Sequence, residues 1–243
     1  MDLSDRIKGY EDCFKTVLPS KLPVIIRIDG SNFSKLTSSL AKPYDDNFIE
    51  LMNNTAKYVI SEVSGARFCT VQSDEINIFI NNYESKDSQP RYGNSVNKIN
   101  TLCASLAASY FSVHSPKAFG EVKVAQFDSR CFVVPQHEVF NYFYSRQLDT
   151  TRNAIQMFAR TLFSQKELNG KSSKQMQEMC LSKGSGFDDL PVYFKRGRSI
   201  YKVEVDREAE VKGKMLQIKR KEWFVDNNSP VFVDDRNFIE KYI

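Results

Sequence analysis

Histidine is nearly absent from this chain: among 243 residues only His114 and His137 carry an imidazole. The five cysteines (Cys13, Cys69, Cys103, Cys131 and Cys180) are scattered singly, with no C-x-x-C pair. A zinc site is disfavoured because it needs clustered Cys and His ligands. So is a hydrolase with a histidine base, since His114 falls in a polar stretch and His137 follows Pro135 in a loop segment. Isolated thiols fit a reduced, cytoplasmic protein. No apolar run approaches the length of a membrane span, the first residues, Met1-Asp2-Leu3-Ser4-Asp5, are polar, and no repeat or low-complexity tract occurs. The net charge of +4 is too mild to imply nucleic acid by itself, although it disfavours acidic partners. What the chain does have is core material: 41% hydrophobic and 12% aromatic residues exclude wholesale disorder. The length suits one large domain, or one domain with a substantial extension.

Residues 23–28 are β-branched and almost continuously apolar, the pattern of a buried central strand. Pro43-Tyr44-Asp45-Asp46 signals a helix start; Phe48, Leu51, Met52, Val59, Ile60 and Val63 follow at helical spacing, with Gly65 as the stop. Residues 67–71 and 76–80 read as two strands joined by a tight turn at Ser73-Asp74. Residues 81–97 form a loop rich in Asn, Ser, Asp, Gly and Pro. A helix then runs over about 96–111 with Ile99, Leu102, Ala107 and Tyr110 near one face. Residues 122–134 carry strand signals broken near Phe127-Asp128. Strand, helix, strand, strand, helix, strand is the split βαβ or ferredoxin-like order, an α+β class. Beyond Pro135 come a long helix over about 137–164 (Phe140, Phe143, Leu148, Ile155, Phe158, Ala159 and Leu162) and a shorter one over about 172–181. After these lie a basic segment, Lys195-Arg196-Gly197-Arg198, and a strand-like tail containing Lys219-Arg220-Lys221. The expected division is a catalytic core over 1–135 and a helical and C-terminal β-rich extension over 136–243 packed on it.

That order has a geometric consequence. A right-handed crossover makes the first two strands parallel and leaves the third between them, antiparallel to both. Asp29, at the end of the first strand, then lies beside Asp74 and Glu75 at the start of the third. Asp29-Gly30 and Ser73-Asp74 each have an ordinary reading as turn chemistry. Brought together, the two aspartates form a carboxylate pair able to hold a divalent metal beside a phosphate, the minimal apparatus for nucleotidyl transfer. Gly30 suits close approach of the backbone to phosphate, and its carbonyl is a further hard oxygen donor. Gly184-x-Gly186 matches neither a Walker loop nor a dinucleotide fingerprint. The basic segments read equally as solvated faces or RNA contacts. Asp149 and Arg152, three apart on a helix, can simply pair with each other.

These residues also carry a family resemblance. Arg27-Ile28-Asp29-Gly30-Ser31-Asn32-Phe33, Ala41-Lys42-Pro43 with Asp45, Gln72-Ser73-Asp74-Glu75 and Phe127-Asp128-Ser129-Arg130 occur in that order. Lys98-Ile99 with Ala104-Ser105, Arg146-Gln147-x-Asp149, Arg152-Asn153 and Phe194-Lys195-Arg196-Gly197 add to the set. Over about residues 6–197 the chain resembles the tRNA-histidine guanylyltransferase superfamily of reverse (3′–5′) RNA polymerases. The resemblance implies a polymerase-palm core and two Mg²⁺ ions held by Asp29, the Gly30 carbonyl and Asp74, with Glu75 beside them as a catalytic carboxylate. It implies activation of a tRNA 5′-phosphate by ATP, then attack by the 3′-hydroxyl of GTP or another incoming NTP. Lys42, Asp45, Ser73, Lys98 and Asn153 match nucleotide contacts, and Arg130, Arg152, Lys195 and Arg196 match RNA contacts. A homo-oligomer, at least a dimer and in this family often a tetramer, is implied too.

The departures redirect the substrate. Where eukaryotic guanylyltransferases carry a histidine- and asparagine-rich motif, this chain reads Thr150-Thr151-Arg152-Asn153-Ala154-Ile155-Gln156. Ser34 stands where a histidine commonly follows the first motif, and Asn94 stands near the place of an arginine, with Arg91 a few residues earlier. The chain is therefore more similar to the guanylyltransferase-like branch, which repairs 5′-truncated tRNAs by templated addition. The rival readings are a tRNA-His-specific guanylyltransferase, a catalytically silent tRNA-binding module and a palm-type nucleotide cyclase.

Overall fold

The computed structural model of the chain describes residues 2–85, 87, 89–211 and 214–243. After an N-terminal helix, α1 (Leu3–Asp12), come β1 (Val24–Ser31), the short α2 (Phe33–Leu36), α3 (Asp46–Glu62), β2 (Ala66–Gln72), β3 (Glu75–Ile80), α4 (Val96–His114), α5 (Pro116–Phe119) and β4 (Gln126–Val133). The rest comprises α6 (Val139–Leu162), α7 (Gln165–Leu168), α8 (Ser173–Ser182), α9 (Val192–Arg196), β5 (Arg198–Val211), β6 (Lys214–Asp226) and α10 (Asn237–Glu240). The six strands form one sheet in the order β4-β1-β3-β2-β5-β6. β3 lies between β1 and β2 and is antiparallel to both, as the crossover argument requires.

Strand alternation gives the two faces of this sheet different characters. One face is apolar throughout: Val24, Ile26 and Ile28 of β1, Ile76, Ile78 and Ile80 of β3, and Cys69 and Val71 of β2 pack under α3 and α4. The other face is apolar at one end only, where Ile25, Phe79 and Phe68 meet Phe140 and Phe143 of α6. At its other end the same alternation continues as Arg27 and Asp29 on β1, Asn77 and Glu75 on β3, and Thr70 and Gln72 on β2. This polar half-face is where chemistry can occur.

Several details differ from the sequence reading. β1 runs on to Ser31, so Asp29 lies within the strand instead of ending it. β4 is unbroken at Phe127-Asp128 and pairs with β1 from Ser31↔Gln126 to Val24↔Val133. Asp128 sits at the polar end of its face and exposes its charge to solvent, so no interruption is needed. In α4 the buried stripe is Ile99, Cys103, Ala107 and Phe111, while Leu102 turns outward; the thiol acts as the small apolar residue. In α6 the inward residue is Gln147 and Leu148 is exposed. The Gln147 amide donates to the Pro230 carbonyl at 2.8 Å and accepts from the Phe232 N–H at 2.8 Å, so a polar side chain anchors the C-terminal segment. Among the described residues no helix is long and apolar enough to cross a membrane.

β5 extends the sheet by pairing with β2 from Phe68↔Tyr201 to Val71↔Arg198. Its entry depends on Gly197, at φ +80°, where an added Cβ would lie 2.9 Å from the Val71 carbonyl oxygen. Gly120 also has positive φ but faces open space. Gly197→Ala is therefore expected to lower the unfolding free energy by roughly 3 kcal/mol, combining left-handed strain with a backbone clash. Gly120→Ala, with strain alone, should cost about 1 kcal/mol; urea unfolding of the two variants compares them directly.

Candidate active site

Glu75, the first residue of β3, is buried and carries the densest hydrogen bonding on the polar half-face. Arg146 of α6 grips it in a fork, Nε to Oε1 at 2.9 Å and Nη2 to Oε2 at 2.6 Å. Gln72 and Asn77 donate to Oε1 at 3.1 and 2.8 Å. The outer ends of the network are tied as well. Tyr142 donates to Asn77 at 2.5 Å, the Thr150 hydroxyl bonds the Gln72 carbonyl oxygen, and Arg146 Nη1 reaches Asp149 at 2.7 Å. Four hydrogen bonds thus reach Glu75, three at Oε1 and one at Oε2, and they tie this carboxylate into the fold. The resemblance implies a catalytic role for Glu75 and includes Arg146 only as part of the Arg146-Gln147-x-Asp149 string, with no role attached to it.

Asp29 and Asp74 are in the opposite state. Asp74 follows Ser73, whose φ of +46° makes the tight turn between β2 and β3. Burial pushes the Asp74 carboxyl up to about 6; hydrogen bonds from Ser73 and from its own backbone N–H pull it down, and the charges of Asp29 and Glu75 push it up again. Asp29 is raised for the same first reason, burial, and then by Glu75 and by Asp128, its cross-strand partner on β4. Two partly buried carboxylates therefore repel one another; among the described residues no cation is bonded to either, and the charges of Arg27 and Arg130 only partly offset the rise at Asp29. Gly30 completes the group, since a Cβ there would lie 2.3 Å from the ring of Phe33. That ring is locked between Phe48, Phe111 and Phe127.

A cavity of about 400 Å³ opens beside the two aspartates, between α3 and α6. Tyr44, Phe48, Ile49, Met157 and Phe194 give it apolar walls, and Arg198 forms part of the wall as well. A second cavity, of about 880 Å³, shares Ser73 and Asp74 with the first and is flanked by Lys42 and Arg160. Ser73 and Asn153 are exposed and line the first cavity. Asp45 lines it too, but its carboxylate caps α3, accepting from the Phe48 N–H at 3.0 Å and the Ala41 N–H at 3.4 Å. Lys98 is exposed in the first turn of α4 and lines neither cavity.

Of the residues matched to RNA, Arg130 is exposed on the edge strand and paired with Asp128 at 3.0 Å. Arg152 pairs with Asp149 at 2.5 Å, as its spacing suggested. Arg196 is half-buried, and Lys195 is buried with its ammonium donating to the Asp188 carbonyl at 2.5 Å. Asn94 is also internal and donates to the Leu18 and Pro19 carbonyls at 3.2 Å each.

A split βαβ sheet, two mutually repelling aspartates at one end of it and an adjoining cavity walled by aromatics define a palm-type nucleotidyltransferase. Comparison with known proteins agrees. The family model described as tRNAHis guanylyltransferase matches residues 4–135. A solved bacterial tRNA(His) guanylyltransferase-like protein in complex with ATP superposes with a TM-score of 0.89 at 35% identity, covering 100% of this chain and 99% of its own. One in complex with GTP gives 0.83 at 34% identity, with 99% and 98% covered. A probable tRNA(His) guanylyltransferase of Dictyostelium discoideum is 27% identical over 88% of each chain. The chain belongs to the tRNAHis guanylyltransferase family.

Breaking the Glu75–Arg146 fork would strand a buried carboxylate. Arg146→Ala is expected to cost about 3–5 kcal/mol of stability. Adding Glu75→Gln to that variant removes the stranded charge and should return a large part of the loss, a coupling that denaturant unfolding of the four proteins measures.

Proposed function

We propose that this protein is a Mg²⁺-dependent 3′–5′ nucleotidyltransferase that adds nucleotides to the 5′ end of tRNA, and that its task is the repair of 5′-truncated tRNAs by templated addition. The observation that carries the activity is the Asp29–Asp74 pair, two neighbouring carboxylates whose pKa values are raised by burial and by surrounding negative charge, beside a cavity of nucleotide dimensions. No cluster of three or more His, Cys, Asp and Glu side chains suited to a metal occurs among the described residues. The fit to Mg²⁺ rests on donor chemistry: two carboxylates and the Gly30 carbonyl are hard oxygen donors, and a cation between the aspartates would relieve their repulsion. Mg²⁺ bound there supplies acidification of an attacking hydroxyl and neutralisation of triphosphate charge.

The chain's own residues supply the rest. The Glu75–Arg146 network keeps Asp74 opposite Asp29. The apolar walls receive a nucleobase and exclude water, as the ATP and GTP complexes of the bacterial relatives suggest for this chain. Lys42 and Arg160 flank the second cavity with positive charge for phosphates, and the exposed Asn153 lines the first. The repair assignment is supported by α6, where the residues in place of a histidine-rich motif are used internally. Thr150 bonds Gln72, and Thr151 donates to the Lys195 carbonyl at 3.1 Å.

Asp29→Ala and Asp74→Asn should each reduce nucleotide addition to tRNA by about a thousandfold or more. The thermal midpoint is expected to hold or rise, because each change removes a carboxylate whose charged form burial disfavours. Full activity of Asp29→Ala at ordinary Mg²⁺ would overturn the assignment, and tRNA binding with no NTP incorporation would favour a silent binding module. For the repair task, a 5′-truncated tRNA offered ATP and each NTP in turn is expected to gain only the nucleotide that complements its opposing base. Addition of G to tRNAHis alone would instead indicate the guanylyltransferase activity.

A further inference from the structure

Three charged side chains are buried among the described residues: Glu75, Lys195 and Arg198. The first two have their needs met within the protein, Glu75 by Arg146 and Lys195 by the Asp188 carbonyl. Arg198 does not. Its Nε donates to Asn53 Oδ1 at 2.9 Å, and its Nη2 is buried with no partner. The neighbours that act on its charge are the Cys69 thiol and the Tyr193 phenol, with no carboxylate among them. Burial pushes the guanidinium down to about 10, so it is still a cation at neutral pH. A buried, unpaired cation is costly, and a protein that places one in a cavity wall leaves donors for something that enters.

Position indicates what enters. Arg198 sits opposite Val71 on β5, three strand spacings (about 14 Å) from β1 and Asp29. It lies on the α3 side of the sheet, beside the apolar walls formed by Tyr44, Phe48, Ile49 and Phe194. The cavity therefore has a carboxylate end, suited to metal-bound phosphates, and an apolar end containing one guanidinium. A phosphate would be poorly placed among those apolar side chains, whereas a flat base with a hydrogen-bond acceptor on its edge fits them. Arginine is a favoured partner for the O6 and N7 acceptors of guanine, while adenine presents a donor at the corresponding position.

We infer that Arg198 is a base-recognising residue of the first cavity, donating to the 6-oxo group of a guanine-type nucleotide and thereby favouring GTP over ATP there. The inference rests on the nucleotide-binding reading of that cavity. It is tested by titrating the wild-type protein and the Arg198→Met variant with GTP, ITP and ATP in the absence of RNA. GTP and ITP share the 6-oxo group that ATP lacks. Arg198→Met is expected to weaken GTP and ITP by about 10- to 100-fold and to change ATP by no more than about twofold. Asn53→Asp supplies a second variant that keeps the side-chain shape and gives Arg198 an internal anion; it should produce the same selective loss, and it carries the test where Arg198→Met does not fold. Parallel losses for all three nucleotides, or unchanged GTP affinity, would overturn the inference while leaving nucleotide binding intact. Wild-type protein that binds none of the three would overturn the nucleotide reading and this inference together.

Discussion

The fork between Glu75 and Arg146 joins the sheet to the long helix, and the geometry of the site depends on it. A buried ion pair is not in itself a large net stabiliser, because both charges have left water. Its value is positional, since neither partner tolerates the loss of the other. Gln72 and Glu75 face each other across the two-residue turn that contains Ser73 and Asp74, and both are tied to α6, through Thr150 and Arg146. The turn is thereby fixed from both ends. Asp74 has little freedom to relax away from Asp29, so the repulsion between them adds to the burial that already raises the Asp74 pKa.

Charge is distributed over the site in two states. Glu75 is paired inside the protein with Arg146. Asp29, only partly offset by Arg27 and Arg130, and Asp74 lie on one side of the cavity without a bonded cation among the described residues, and Arg198 lies on the other without a carboxylate partner. A protein can carry such unmatched charges at low cost only if a ligand of matching polarity completes them. A nucleotide with its phosphates and counter-ions at one end and its base at the other has that polarity. The same uncompensated groups that cost stability in the empty protein therefore create the proposed affinity.

Much of the palm was legible because its elements announce themselves by period. Residues 24–28 and 76–80 alternate or run apolar in a way that only a buried sheet satisfies, and the order of elements then brings Asp29 to Asp74. The polar half-face is also written in the sequence, since Arg27, Asp29, Glu75 and Asn77 share a parity with Ile25 and Phe79. Polarity is a poor guide to position at two places. Gln147 is internal and Leu148 exposed, and the partners of Gln147, the Pro230 carbonyl and the Phe232 N–H, are more than 80 residues away. Cys103 is buried and Leu102 exposed, although a thiol counts weakly in a hydrophobic stripe. Nothing in local spacing identifies Arg146 as the partner of Glu75, separated from it by 71 residues.

The basic string at residues 195–198 shows most clearly how a linear pattern misleads. As text it is a cationic strip suited to RNA phosphates. In the fold, α9 ends at Arg196 and Gly197 turns the chain into β5 with a backbone conformation that few other residues adopt. That reversal sends Lys195 inward to the Asp188 carbonyl and Arg198 into the wall of the first cavity, leaving Arg196 half-buried between them. The segment is consequently a structural wall with one unsatisfied donor, whereas Arg152 on α6 and Arg130 on β4 are exposed and paired with neighbouring carboxylates. Burial thus divides the positive charge: the exposed arginines find carboxylate partners in water at little cost, and the buried one is left with a donor that only a ligand in the cavity could satisfy.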